Sequence, residues 1–478
     1  MTNSTEPATP TITLKRNTLG VPAILFFVFS AQAPLTGIVG AVAYSVALGN
    51  GAGAPGAYLL VGLVIILFAV GFTTISRHID TRGGFYPIVQ AGLGRGIGTG
   101  GAFLALWSYN TIQAAMYGLL GATLAGMFPA MAWWIYAVAA IAVVWALGTR
   151  GIELGARVLS VLVIAEVAIL LAFSFVVLVT TGWGDLDIGA SFAPSAIAVG
   201  TPGVAILFAI ASMFGFESTA IYSGEARDPR RTVPRATYLS VVSIAIFFAF
   251  VVWMIVAYYG SGDVQDAALA TLADDPAMFV LEPLTAVLGP WAATAAQILL
   301  CTSLLAGVLA FHNMVTRYVH SLADRGYLPR RLAHTNDRHA PAAASLAQTV
   351  VALILVMPFA IAGLDPSRTL FAWFSGVAVA ALVLLYVLSS VAIVVYFRRT
   401  RVEANIWTTL IAPVAATVLM VGELYLIVTQ FGMLTGSTGP TGWLLLATVP
   451  VMFLAGCLVS RLRSGAVRAP AAISEQDA

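Results

Sequence analysis

Residues 206–236 read ILFAIASMFGFESTAIYSGEARDPRRTVPRA: an apolar run interrupted by Phe214-Gly215-Phe216-Glu217-Ser218, then a cluster of arginines and prolines. A glycine beside a carboxylate at bilayer depth is costly, because freed backbone amides and a charge lose water there. The stretch makes sense if the helix opens at Gly215 and its amides face a cavity. The alternative is a kinked packing helix whose Glu217 is hydrogen-bonded to a neighbour.

The surrounding chain is built like that run. Its 478 residues are 60% hydrophobic and 9% charged, and the mean hydropathy is +0.94. Soluble domains carry roughly 25% charged residues, so this is a polytopic membrane protein. A spanning helix needs about 20 apolar residues. Twelve such runs are found, at 20–48, 57–76, 98–126, 130–148, 156–180, 202–222, 236–259, 289–320, 343–362, 369–396, 405–430 and 440–460. Cys301 and Cys457 both lie in apolar runs, which supports neither a disulfide framework nor a zinc site. The polar stretch 1–17 has no cleavable signal pattern.

Orientation follows from arginine. With the N-terminus in the cytoplasm, alternate loops collect the basic residues, among them Arg77, Arg95, Arg150, Arg231, Arg325, Arg330 and Arg398. The opposite loops hold Asp185, Asp187, Asp263, Asp266, Asp274 and Asp275, with Arg368 their one arginine. The positive-inside rule then places both termini in the cytoplasm. The net charge of +2 says nothing about nucleic acid, and no such partner is expected.

The first run repeats the oddity of the sixth. Ala31-Gln32-Ala33-Pro34-Leu35-Thr36-Gly37 sits in its middle, where Pro34 removes a backbone donor and Gly37 loosens the next turn. Paired interruptions in corresponding positions of two halves point to an inverted-repeat transporter with its site at the breaks. The fifth run carries Glu166, and the eleventh Glu423. Lys15 is the only lysine, and no arginine lies mid-span, so Glu166 and Glu217 lack a basic partner at their depth. Such a carboxylate takes a proton or finds a cation, which suits a proton or sodium pathway or a cationic substrate. A protonated structural residue is the alternative for Glu166, and the favoured reading for Glu423. In the third run Tyr109 and Gln113 share a helical face and Asn110 adjoins it, offering orienting hydrogen bonds or interhelical packing. Thr302-Ser303 in the eighth are candidate sodium ligands with carbonyls of a broken helix; packing is again the alternative. His312 reads as structural. No nucleophile–base pair, H-E-x-x-H, Walker loop or Rossmann pattern appears, so neither an enzyme, a cofactor nor an ATP-driven pump is expected.

The block 214–218 with Gly224-Glu225-Ala226-Arg227-Asp228-Pro229-Arg230-Arg231-Thr232-Val233-Pro234-Arg235-Ala236 resembles the amino acid–polyamine–organocation superfamily, in its bacterial amino-acid permease branch. Gly83-Gly84-Phe85-Tyr86 with Gly92-Leu93-Gly94, and Arg317-Tyr318 through Ala323-Asp324-Arg325-Gly326, extend the resemblance over residues 15–400. It implies an all-α LeuT-type fold: a tail at 1–18, inverted five-helix repeats at 19–180 and 200–396, peripheral helices at 405–460 and a tail at 461–478. It also implies alternating access around a midplane site. In the family, amides at the breaks hold a substrate carboxylate and an aromatic of the sixth helix gates the site. Those places fall here to Ala33, Leu35, Thr36 and Gly37, and to Phe214, Gly215 and Phe216. Glu217 matches an acidic position tied to proton response in the related arginine/agmatine antiporter. Two departures stand out: Pro34 offers no N–H for a carboxylate, and Glu166 takes the place of a lysine found in several proton-coupled relatives. The expected activity is import of an amino acid or related amine or polyamine into a bacterial cell across its plasma membrane by proton symport. An exchanger, or a non-transporting receptor of the same fold, is the alternative. By analogy, the last two helices are where a homodimer would form.

Overall fold

A computed structural model describes residues 20–79, 84–150, 156–216, 228–336, 340–436 and 439–463. Glu217, Ser218 and the motif residues 224–227 lie outside them, as do most of both tails. Among the described residues the chain is almost wholly helical and has no strand.

The first apolar run is two helices, α1 (Val21–Gln32) and α2 (Pro34–Ser45), joined at Ala33 in the left-handed region, φ 46. Proline is tolerated at the first position of α2 because that N–H has no intrahelical partner anyway. Next come α3 (Ala54–Ile75), the short α4 (Phe85–Leu93), α5 (Arg95–Met127), α6 (Trp133–Gly148) and α7 (Ala156–Thr181). The sixth run starts as α8 (Pro202–Ser212) and stops being helical at Met213, with Gly215 at φ 112. The chain continues through α9 (Pro229–Tyr259), two short helices α10 (Val264–Asp274) and α11 (Met278–Leu288), and α12 (Pro290–Asp324). It closes with α13 (Ala342–Ile361), α14 (Ala372–Thr400), α15 (Ala412–Gln430) and α16 (Thr441–Leu462).

Eight helical segments among the described residues are long and apolar enough to cross a bilayer; one of them, Pro34–Ile75, contains both α2 and α3. With the shorter apolar helices, the order accommodates the twelve runs. The sequence reading did not foresee α10 and α11, which fold over one end of the bundle.

The broken helices lie in the interior. Every described α8 side chain from Gly203 to Ile210 is buried, and α8 packs on α2, α3 and α14. Gly37 permits a close approach: a Cβ there would sit 2.7 Å from a Phe248 ring carbon. The outside of the bundle is apolar instead, with Ile164 and Phe175 of α7 and Val418 of α15 exposed, as lipid-facing helices require.

The two ends differ in charge. One gathers Asp274, Asp275 and Asp365. At the other, Arg95 Nε donates to the Tyr327 hydroxyl at 3.0 Å, and Arg463 Nη1 donates to the Gly326 and Leu328 carbonyls at 3.0 Å. That end ties α5, the turn after α12 and the tip of α16 together.

Candidate functional site

Two cavities border α2. The inner one, about 40 Å³, lies where the α1–α2 break meets the end of α8; Gln32, Ala33, Thr36, Gly37 and Phe214 line it. Ser212, Phe311, Phe371 and Ser375 complete its wall. At roughly 10–15 Å³ per water centre, it holds about three or four waters. Three buried polar atoms of its lining have no hydrogen-bond partner: Gln32 Oε1, Thr36 Oγ1 and Ser375 Oγ. Buried polar groups are normally paired, so three orphans around one void mark a place for a ligand's own polar groups. Gln32 is held in place because its Nε2 donates to the Met213 carbonyl at 3.2 Å.

The outer cavity, about 410 Å³, lies at the acidic end and is bordered by Tyr44, Trp133, Asp274, Asp275 and Asp365. Tyr44 donates to the Ser367 carbonyl at 2.7 Å. Its ring stacks 5.0 Å from Phe208 and lies 6.2 Å from Phe371 of the inner wall. The two cavities are therefore separated by a few aromatic side chains. Desolvation by the vestibule wall raises the Asp275 pKa, with Asp274 and Asp365 adding to the rise and the Ala277 N–H opposing it.

Beside the break, Glu166 of α7 accepts the Leu35 N–H at 3.0 Å; Leu35 and Glu166 are 0% and 1% exposed. The Ser303 hydroxyl of α12 also reaches that carboxylate. A lone carboxylate is thereby bonded to the free amide end of a half-helix, where the helix dipole favours negative charge.

Other residues singled out in the sequence sit in varied places. Tyr109 stands 6.1 Å, centroid to centroid, from both Phe214 and Phe311, directly behind the inner wall. Gln113 donates to the Val308 carbonyl and accepts from Gln348, so it stitches α5 to α12 and α13. The Asn110 amide donates back to Leu106 of its own helix. Phe216 points away from the cavity, packing on Phe68 and Tyr386. Thr302 bonds to carbonyls of its own helix, whereas Ser303 faces Glu166. His312 bonds Ser345 at 2.8 Å between α12 and α13. Phe311, Phe371 and Ser375 were not among the candidates, since phenylalanine and serine are ordinary residues in a membrane helix and carry no local signal.

An amino acid permease family model matches residues 19–455. The chain belongs to the amino acid permease family. It is 26% identical over 341 residues to the L-lysine transport protein of Corynebacterium glutamicum, covering 67% of this chain and 65% of that protein. It is 25% identical to the lysine-specific permease LysP of Escherichia coli, over 66% of each chain, so both alignments span just under two thirds of these relatives' length. The low-affinity putrescine importer PlaP of Escherichia coli is 22% identical over 69% of this chain and 72% of its own. The fold is that of a solved manganese transporter from Eremococcus coleocola, with a TM-score of 0.57 at 14% identity, covering 95% of the permease and 98% of that chain. The permease is thus a multi-pass membrane protein whose relatives are transporters rather than enzymes.

Proposed function

We propose that this permease is a secondary transporter that imports an amino acid or amine by proton symport, alternating access around the inner cavity. The observation that carries the reading is the convergence of two broken helices on a void with three unpartnered polar atoms, next to a buried carboxylate bonded to the break itself. Relatives named for lysine and putrescine favour a substrate with an alkylammonium group.

In this reading the acidic end faces outward and both termini face the cytoplasm, as the arginine distribution argues. Residues 19–180 and 200–396 are the two repeats, with α15 and α16 peripheral. Asp274, Asp275 and Asp365 give the entry a negative potential that concentrates cations. Glu166 is the proton carrier. Ionised, it makes a charge-assisted bond to Leu35 N–H and ties α7 to the first turn of α2. Protonated, it accepts more weakly, since hydrogen bonds to ionised groups are roughly twice as strong as neutral ones. Protonation therefore loosens α2 from α7. Glu217 is a second acidic candidate for the proton or for a substrate ammonium.

The test is uptake of labelled lysine, histidine and putrescine into proteoliposomes with an inward proton gradient, a sodium gradient or neither. Accumulation that needs the proton gradient supports the reading. Dependence on sodium moves the coupling ion to a cation beside Glu166 and Ser303. Uptake that needs internal substrate makes the protein an exchanger, and binding without accumulation makes it a receptor.

A further inference from the structure

We infer that the inner site recognises an alkylamine lacking an α-carboxylate, in preference to the amino acid that carries one. The inference rests on the transport reading above and names its substrate class.

A carboxylate at a broken helix is held by the free N–H groups of the half-helix that starts there. In α2 those donors are largely gone. Pro34 has none, the Leu35 N–H is given to Glu166, and the Gly37 N–H returns to the Ala33 carbonyl at 3.1 Å. Among the described residues that leaves the Thr36 N–H. The protein's own glutamate already occupies the position of a bound carboxylate at this helix end.

What the cavity does offer suits a cation. Both α1 and α8 end at it, and the carbonyl end of a helix carries partial negative charge. Gln32 gives one N–H to Met213, and its Oε1, on a side chain 7% exposed, is an unused acceptor. Ser375 is 0% exposed, and its hydroxyl and that of Thr36, both unpartnered, can each accept from an ammonium while keeping an O–H to donate. Phe214, Phe311 and Phe371 supply aromatic surface, and ring faces attract ammonium groups. The route in passes Asp274, Asp275 and Asp365.

Lysine and 1,5-diaminopentane are a matched pair that differs by the carboxylate alone. The experiment is competition between them for binding to the purified full-length protein, with uptake of each into proteoliposomes. The diamine should bind at least about tenfold more tightly, the penalty for the amino acid being a carboxylate that finds a single free N–H at the α2 half-helix among the described residues. Lysine binding equal to or tighter than the diamine's overturns the inference and leaves the transport reading intact. Neither probe binding nor entering overturns both.

Two variants separate recognition from structure. Gln32→Leu removes the acceptor and should weaken the diamine about tenfold while leaving the melting temperature in detergent close to that of the parent protein. In Glu166→Ala the Leu35 N–H is released, which should narrow the preference for the diamine by improving lysine. Equal weakening of both ligands by Glu166→Ala would mean that Glu166 acts by packing alone and would overturn the assignment.

Discussion

Two helices of this permease each bury one glutamate, and their surroundings differ in kind. On α7, Glu166 is 1% exposed and its carboxylate is bonded to the backbone of a broken helix 131 residues earlier in the chain. On α15, Glu423 is 6% exposed with Oε1 unpartnered, on a helix that packs against α3, α8 and α14 from outside. In sequence they look alike, each a single carboxylate in an apolar run without a basic neighbour. The difference teaches that burial alone does not mark a coupling residue. In the proposed cycle, a carboxylate bonded to the broken helix would transmit its ionisation to that helix, whereas one with an unpartnered oxygen on a peripheral helix has no such bond to use.

The comparison breaks most sharply under Glu166→Gln. Gradient-driven accumulation should fall to background, while exchange of labelled for unlabelled substrate across the membrane persists, because the amide still accepts the Leu35 N–H. Retained accumulation in that variant would remove Glu166 from coupling.

Packing damage at the same place should look different. Gly37→Val puts side-chain atoms into the Phe248 ring, whose nearest carbon would lie 2.7 Å from the new Cβ. A loss of about 1–3 kcal/mol in stability is expected, with the melting temperature and both transport modes falling together.

A carboxylate outside the membrane sharpens the contrast from another side. Because the Asp275 pKa is raised, falling pH at the acidic end neutralises it before an ordinary aspartate. The apparent KM for a cationic substrate should therefore rise as pH drops into the carboxylate range. Asp275→Asn should raise KM about threefold at low ionic strength, suppress this pH dependence and leave the turnover rate unchanged. Salt that leaves the parent protein's KM unaltered would count against steering.

The smallest effect belongs to Glu423→Gln. Transport should stay within about twofold and stability within about 1 kcal/mol, since the change keeps shape and replaces a carboxyl group that has no assigned role. A coupling defect there would erase the distinction drawn between the two helices.

Much of the architecture was legible because bilayer-length apolar runs and a proline at Pro34 are local signals. The interruption at Gly215 was readable for the same reason, and α8 does end three residues before it. The short helices α10 and α11 were not: α10 is half-polar and resembles a loop, and α11, though apolar, is only 11 residues long. Site residues were legible only where they break a pattern. Gln32 stands out in an apolar helix, but Ser375, Phe311 and Phe371 do not. Gln113 stood out too, yet it bonds Val308 and Gln348 instead of lining the void. A lone carboxylate announces that it needs a partner without saying which; the Leu35 amide could be found only in three dimensions.

The two breaks also differ mechanically. Ala33 sits at φ 46, a region that costs a residue with a Cβ about 1–2 kcal/mol, whereas Gly215 at φ 112 carries no such penalty. The first junction is therefore a strained elbow, a narrow well that the Ala33 methyl disfavours and that the buried packing around it must hold. The second is a swivel. If the proposed cycle rocks the bundle, the unstrained glycine beside Phe214, the ring that walls the inner cavity, is the junction that can turn at the lower cost, while the strained bend between α1 and α2 stores energy that its packing has to hold.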